Sequence, residues 1–317
     1  MIDSISELKN PEEMEKAADG TVYKVGIVQF VDDASLNQIN RALCAELNAK
    51  GAELGVTFDY EDYNLNGQAD ATMLGQIAQQ LLSEDVDVIV PIATPAAVIM
   101  QAAAEDSETP VVFSAVSDPV GAGLVASLEN PGSYVTGTSD ALNTKAVFDL
   151  MFAADPDIEK VGLLYNRSED ASRQSIADAK AYCEERNVEV VEKTGTTNDE
   201  VILAADALAA EKVDAVFTPT DNTIMTAELA IYETFAEAGI PHYAGADSFA
   251  LNGAFCGYGV NYMELGTATG DMVAELLTQG KEPGQMAVVS LDNGIATVNT
   301  DTAQALGIDY SMFAGMC

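Results

Sequence analysis

The residues best suited to chemistry in this sequence lie where short apolar runs give way to polar ones. Ile92-Ala93-Thr94-Pro95 is one such place. Thr94 suits a helix N-cap and Pro95 the first helical position, where a missing N–H costs nothing. A helix N-terminus with a hydroxyl beside it is also an anion site, and an amino-acid carboxylate would suit it. Ala115-Val116-Ser117-Asp118-Pro119 offers Ser117 as a donor, while Asp118, held extended by Pro119, reads as part of a turn. In Val31-Asp32-Asp33-Ala34-Ser35, Asp33 reads as a helix cap and Ser35 suits capping and ligand contact equally. Three later stretches mirror these: Asn166-Arg167-Ser168-Glu169-Asp170, Thr218-Pro219-Thr220-Asp221-Asn222 and Ala246-Asp247-Ser248. Asp221 or Thr220 would cap the next helix. Asp247 has no basic neighbour and reads equally as a turn residue or as the partner of a ligand ammonium.

These groups bind rather than react. No Cys or Lys lies in the loops, and the only histidine, His242, opens an apolar run after Pro241. One histidine argues against zinc and against histidine-based catalysis. Glu169-Asp170 and Asp32-Asp33 lack the alternating ligands of a calcium loop and read as solvated pairs. The four cysteines are scattered, and Cys44 and Cys183 fall inside helical patterns as small buried thiols. No metal and no cofactor is expected. Acidic residues number 51 against 14 Lys plus Arg, a net charge of -37 spread along the chain. Such a surface repels phosphate backbones, so nucleic-acid binding is excluded. No apolar run is long enough to span a bilayer. The first residues are acidic and polar rather than signal-like.

These loops need elements to hold them. Apolar runs predict strands over 23–30, 56–62, 86–92, 111–115, 134–137, 161–166, 188–193, 215–218, 242–246, 257–261, 288–291 and 296–299. Amphipathic helices are expected over 35–49, 69–82, 95–104, 144–152, 172–186, 199–210, 222–238 and 265–279, and a short one around 11–18. Near-continuously apolar strands, each followed by a helix, indicate parallel sheets covered on both faces. The chain also repeats itself. Lys24-Val25-Gly26 and Asp33-Ala34-Ser35 return as Lys160-Val161-Gly162 and Asp170-Ala171-Ser172, and Val86-Asp87 returns as Val213-Asp214. The fold class is therefore α/β, with two doubly wound parallel-sheet lobes joined by a hinge. The chain is expected to cross near Ser117, Ser248 and Pro283. That gives lobe 1 as 22–117 plus 249–283, lobe 2 as 118–248 plus 284–317, and 1–21 as a polar leader. In such folds ligands bind at the carboxyl ends of the strands.

Several of these stretches resemble the ABC-transporter substrate-binding proteins of periplasmic-binding-protein class I, especially the tryptophan/tyrosine-type solute-binding lipoproteins. They are Phe113-Ser114-Ala115-Val116-Ser117-Asp118-Pro119, Thr136-Gly137-Thr138-Ser139-Asp140 and Thr218-Pro219-Thr220-Asp221-Asn222, within a likeness over about 22–310. The resemblance implies a hinged receptor, not an enzyme, that closes its two lobes on a small amino-acid ligand and passes it to an ABC permease and ATPase. It implies a monomer outside the cytoplasm, lipid-anchored through a leader that is not part of this sequence. By position, Thr94 and Ser117 would hold the ligand carboxylate and Asp247 its ammonium, with Ser35, Ser139, Asn166 and Asp221 on the rim. Phe30, Phe113, Tyr165, Phe249, Tyr258 or Tyr262 would supply an aromatic wall, although Phe113 and Tyr165 read better as core. Two other classes compete. A sensor domain of the same fold would look alike in sequence. A cofactor-independent racemase would need two thiols at strand ends, where Cys44 and Cys183 do not lie.

Overall fold

A computed structural model describes residues 20–291 and 293–316. The helix expected around 11–18 lies outside the described residues. In chain order the elements begin with β1 (Val22–Gln29), α1 (Ala34–Leu54), β2 (Thr57–Asp59), β3 (Asn64–Asn66), α2 (Ala71–Ser83), β4 (Val88–Ile92) and α3 (Thr94–Ala104). Next come β5 (Val111–Phe113), β6 (Val135–Ser139), α4 (Thr144–Ala154), β7 (Lys160–Tyr165), α5 (Asp170–Arg186), β8 (Glu189–Thr194) and α6 (Asn198–Ala210). The chain continues through β9 (Ala215–Thr218), α7 (Asn222–Glu237), β10 (His242–Ala244), α8 (Asp247–Leu251), β11 (Cys256–Gly259) and α9 (Tyr262–Gln279). It ends with β12 (Val289–Ser290), β13 (Ile295–Val298) and α10 (Thr300–Leu306). No helix among the described residues is long and apolar enough to cross a membrane.

The chain divides into two compact units. One holds the described residues up to Ala141 together with Asn261–Leu291, and the other holds Leu142–Val260 and the described residues from 293 on. The crossings therefore fall after Ala141, before Asn261 and after Leu291, not near Ser117, Ser248 and Pro283. Strand pairing is the reason. Val111 pairs with Val135, which keeps β6 beside β5 in the first unit. Val289 pairs with Thr138 and brings β12 there too. Tyr243 pairs with Cys256, which keeps β11 in the second unit.

The first sheet runs β12-β6-β5-β4-β1-β2, with β3 also on β1. The second runs β13-β11-β10-β9-β7-β8. All pairs are parallel except β11–β13. Buried strands and helices fill each core: Ile89, Phe113 and Leu81 in the first unit, Leu163, Phe217 and Phe255 in the second. Each such side chain contributes about 1.5–3 kcal/mol on burial.

The sequence repeat is a repeat of interactions. Asp87 Oδ2 accepts from the Lys24 backbone N–H at 2.7 Å, and Asp87 N–H returns a bond to the Lys24 carbonyl. Asp214 does the same for Lys160, at 2.8 Å in each direction. Each Val-Asp thus pins the start of one strand to the start of its neighbour. Each glycine of the Lys-Val-Gly triplets also receives a helix leucine. A Cβ on Gly26 would stand 2.9 Å from Leu81, and one on Gly162 would stand 2.9 Å from Leu208.

The returning helix α9 docks on α1 in the first unit. A Cβ at Gly266 would come within 2.4 Å of the Ile39 carbonyl oxygen, so only glycine permits this approach. The final leg is tied to the second unit by Asn299, whose Nδ2 donates to the Ala250 carbonyl at 2.8 Å while its Oδ1 caps α10.

Three local readings differ. The strand expected over 56–62 is broken: β2 pairs with the start of β1, a 3-10 turn follows at Glu61–Tyr63, and β3 pairs with its end. Gly245 and Ala246 leave the sheet, and α8 begins at Asp247. Short α10 went unread, being too brief for a periodic signal.

Candidate functional site

In the first unit, β6, β5, β4 and β1 lie side by side and parallel, so their carboxyl ends share one edge. The loops there carry Ser139 and Asp140 after β6, Ser114–Ser117 after β5, Ala93 and Thr94 after β4, and Phe30 after β1.

Thr94 opens α3 but does not cap it. Ala93 is the cap residue, with φ 83° and no side chain to offer. Thr94 is therefore already helical, and its hydroxyl is turned away from the cap role. Its Oγ1 is buried and finds no hydrogen-bond partner, with the residue 3% exposed. An unsatisfied buried hydroxyl costs about 1–3 kcal/mol. Beside it, Ala115 also has positive φ, at 56°. Two alanines in this region on adjacent strand ends store strain of the kind found at ligand sites. The first N–H groups of a helix such as α3 have no intrahelical acceptor and favour an anion.

Ser117 Oγ donates to Asp140 Oδ1 at 3.0 Å. Asp140 is 5% exposed, and burial pushes its carboxyl up to about 6, with the Ser117 bond opposing that rise. Ser139 is buried and its Oγ accepts from the Ala141 N–H at 3.2 Å, which shapes the turn out of β6. Asp118 Oδ1 accepts from the Gly121 N–H at 2.8 Å, the turn role read for it. Ser35 is buried in the first turn of α1, its N–H donated to the capping Asp33 at 2.9 Å.

In the second unit, Asn166 and Asp221 come together, but to build the loops. Asp221 caps α7 through the Ile224 N–H at 3.0 Å. Its other oxygen accepts from the Asn166 N–H at 2.7 Å and from Ser172 Oγ at 2.6 Å. Asn166 Nδ2 donates to Thr223 Oγ1, and its Oδ1 accepts from the Ser168 N–H. Both side chains are occupied within the fold. Glu169, read as half of a solvated pair, is instead buried. It accepts from the Asn222 N–H, Asn222 Nδ2, the Thr223 N–H and Thr223 Oγ1 at the start of α7. Burial first, and then the Asp221 carboxylate, push Glu169 up to about 8; burial likewise raises Asp221. Asp247 is half-buried at the first position of α8. Thr220 Oγ1 ties the loop after β9 to the Gly245 carbonyl at 3.0 Å.

His242 belongs to the core. Its Nδ1 faces Glu228 Oε1 at 3.1 Å, its Nε2 faces Thr218 Oγ1 at 2.8 Å, and Phe235 and Phe249 pack on the ring. The thiols are not poised to react: burial pushes Cys44 to about 12 and Cys183 to about 11. Both lie within helices and not at strand ends. No group of three or more His, Cys, Asp or Glu among the described residues could hold a metal. Of the aromatic residues read as a wall, Phe113, Phe249, Tyr258 and Tyr262 are buried, and Tyr165 donates its hydroxyl to Glu192. Phe30 stays half-buried.

Comparison with known proteins decides the family. The profile described as ABC transporter substrate binding protein matches residues 24–312. The chain belongs to this family. A tyrosine-binding protein of Clostridioides difficile is 34% identical over 284 residues, covering 89% of this chain and 80% of that protein. An ABC domain from Streptococcus pneumoniae, solved in complex with L-Trp, superposes with a TM-score of 0.85 at 30% identity, covering 94% of this chain and 99% of that one. The ligand-free, open structure of an adhesive substrate-binding protein from Clostridium difficile gives a TM-score of 0.67 at 32% identity, covering 90% and 95%. As an ABC substrate-binding protein, this chain captures a small solute outside the cytoplasm for an ABC transporter.

Proposed function

We propose that the solute is an aromatic α-amino acid, tyrosine or tryptophan, bound without turnover by a monomeric, lipid-anchored receptor that hands it to a permease and ATPase. The observation that carries this reading is the Thr94 hydroxyl, buried without a partner at the start of α3. A ligand carboxylate there would accept from that hydroxyl and from the free N–H groups of the helix. Ser117 stands on the neighbouring strand end and Phe30 on the other side, half-buried and able to meet a ring. The tyrosine-binding relative and the L-Trp complex support the same ligand class. Ser35 and Ser139 are further proposed contacts, and Asp247 is the partner that sequence position proposes for the ligand ammonium. Asn166 and Asp221 act through the loops they hold together.

A thermal-shift screen against the twenty amino acids, with sugars and nucleosides as controls, tests the proposal. At a hundred times its Kd a ligand adds about 2.7 kcal/mol, a shift of several degrees in this size range. The chain has no tryptophan, so bound L-Trp also reports through its own emission. A shift with tyrosine or tryptophan supports the reading. A flat response to all amino acids after unfolding and refolding, with a shift for another solute, overturns it.

A further inference from the structure

We infer that Asp140 is the counter-charge for the ligand's ammonium, so that the site accepts α-amino acids and refuses their deaminated analogues. The inference rests on the amino-acid reading above and moves the ammonium from Asp247 to a residue of the first unit.

Five acidic side chains are buried among the described residues: Asp33, Asp140, Glu169, Asp221 and Glu228. Three have evident compensation, and Glu228 has it at one oxygen only, its Oε2 being buried without a partner inside α7 and not at a strand end. Asp33 and Asp221 cap helices, Glu169 takes four donors at the start of α7, and Glu228 faces His242. Asp140 differs from all four in lying directly after a strand end with neither a helix N-terminus nor a basic side chain against it. Its donor from another residue is the neutral hydroxyl of Ser117. No Lys, Arg or His of the described residues pairs with it. A carboxylate has room for about four donors. A buried anion left with one neutral hydroxyl and its own backbone N–H is poorly compensated until a cation arrives. A ligand ammonium, with its three N–H donors, supplies both the charge and the missing bonds.

Placement fits the same ligand. Asp140 follows β6, Ser117 follows β5 and Thr94 follows β4, three adjacent parallel strands. Two strand spacings separate the outer pair, about 10 Å of sheet edge. The ammonium and carboxylate of one α-amino acid, each with a hydrogen bond about 2.8 Å long at its end, span most of that distance. The side chains of Thr94 and Asp140 cover the remainder. Ser117 then stands between the two charged groups, already bonded to Asp140 and able to turn its lone pairs to the ammonium.

The test compares wild type, Asp140→Asn and Asp247→Asn by calorimetric titration with L-tyrosine and L-tryptophan. It adds 3-(4-hydroxyphenyl)propionate and 3-indolepropionate, which keep the ring and carboxylate but lack the amine. Wild type should bind the amino acids and reject the deaminated acids. Asp140→Asn should lose about 30-fold or more toward the amino acids, narrow or reverse the preference over the deaminated acids, and melt no lower than wild type without ligand. That melting readout separates lost binding from lost folding. Wild-type affinity in Asp140→Asn, or a loss in Asp247→Asn alone, overturns the assignment while leaving the amino-acid reading intact. Equal binding of amino and deaminated acids by wild type overturns it as well. If wild type binds no amino acid but binds another solute, the amino-acid reading itself fails and this assignment falls with it.

Discussion

At Asp140 and Thr94, the ligand contacts we propose and the stability of the unliganded fold pull in opposite directions. Asp140 titrates near 6 in the fold because of burial, and near 4 in an unfolded chain. Between those values the folded form holds more protons, so the stability it contributes is full below about pH 4 and is lost as pH rises through 6. Ligand binding has the reverse sign, since an ammonium needs the anion. Affinity should be flat above pH 6 and fall toward tenfold per unit below it, with up to one proton released per ligand. Calorimetry at pH 7.5 and 5.0, in two buffers of different ionisation enthalpy, checks this; unchanged affinity and no proton release would contradict it. Thr94→Val keeps the shape and removes the orphan hydroxyl. Affinity for the amino acid should fall roughly 10- to 100-fold, while the unliganded protein melts at the same temperature or higher. Titration and melting of the same sample read both. The cap role of Asp221 was legible in sequence because a local rule governs it, whereas the same rule put the cap of α3 at Thr94, one residue past Ala93. The burial of Glu169 and Asp140 was not legible. Glu169 meets its donors at Asn222 and Thr223, and Asp140 becomes enclosed only when β6 pairs with β5. Nothing local encodes those partners.

The two strand-start clamps act between elements. Asp87 binds one N–H, whereas Asp214 binds those of both Glu159 and Lys160. Bonds to a charged acceptor contribute about 1.5–3 kcal/mol each. Asp87→Ala should therefore lower stability by about 2 kcal/mol and Asp214→Ala by more, as read by urea unfolding; equal, negligible losses would show the repeat to be sequence decoration. The strands and long helices were readable because an apolar run followed by a 3.6-residue period is a local signal. The crossings were not. A turn at Ser117 looks the same whether the next strand joins its neighbour or leaves for another sheet, and only the pairing of Val111 with Val135 decides. Short α8 and α10 carry too few residues to show a period, and the strand expected over 296–299 forms as β13 but runs antiparallel to β11, a direction that no local signal gives.

For the whole molecule, charge dominates. A net charge of -37 with few compensating bases makes the compact state repel itself. Raising salt from about 10 mM to 1 M shortens the Debye length from about 30 Å to 3 Å. The melting temperature should rise with sodium chloride, most steeply at low concentration. A flat or falling curve would mean that short ion pairs, such as Lys50 with Asp271 at 3.0 Å, outweigh the general repulsion.

The threading of the chain has a consequence for how it is made. Neither unit is contiguous: the first waits for α9 and β12, the second for β13 and α10. During synthesis from the amino terminus, the groove on α1 that receives Gly266 stays empty until the chain has grown past residue 279. Ribosomes add about 5–20 residues each second, so that apolar face is bare for many seconds after α1 emerges. Neither half can lock early, and the polypeptide reaches its finished form only when its last fifth arrives. A nascent chain halted near residue 260 should therefore remain sensitive to protease throughout, including in strands whose own sequence is complete.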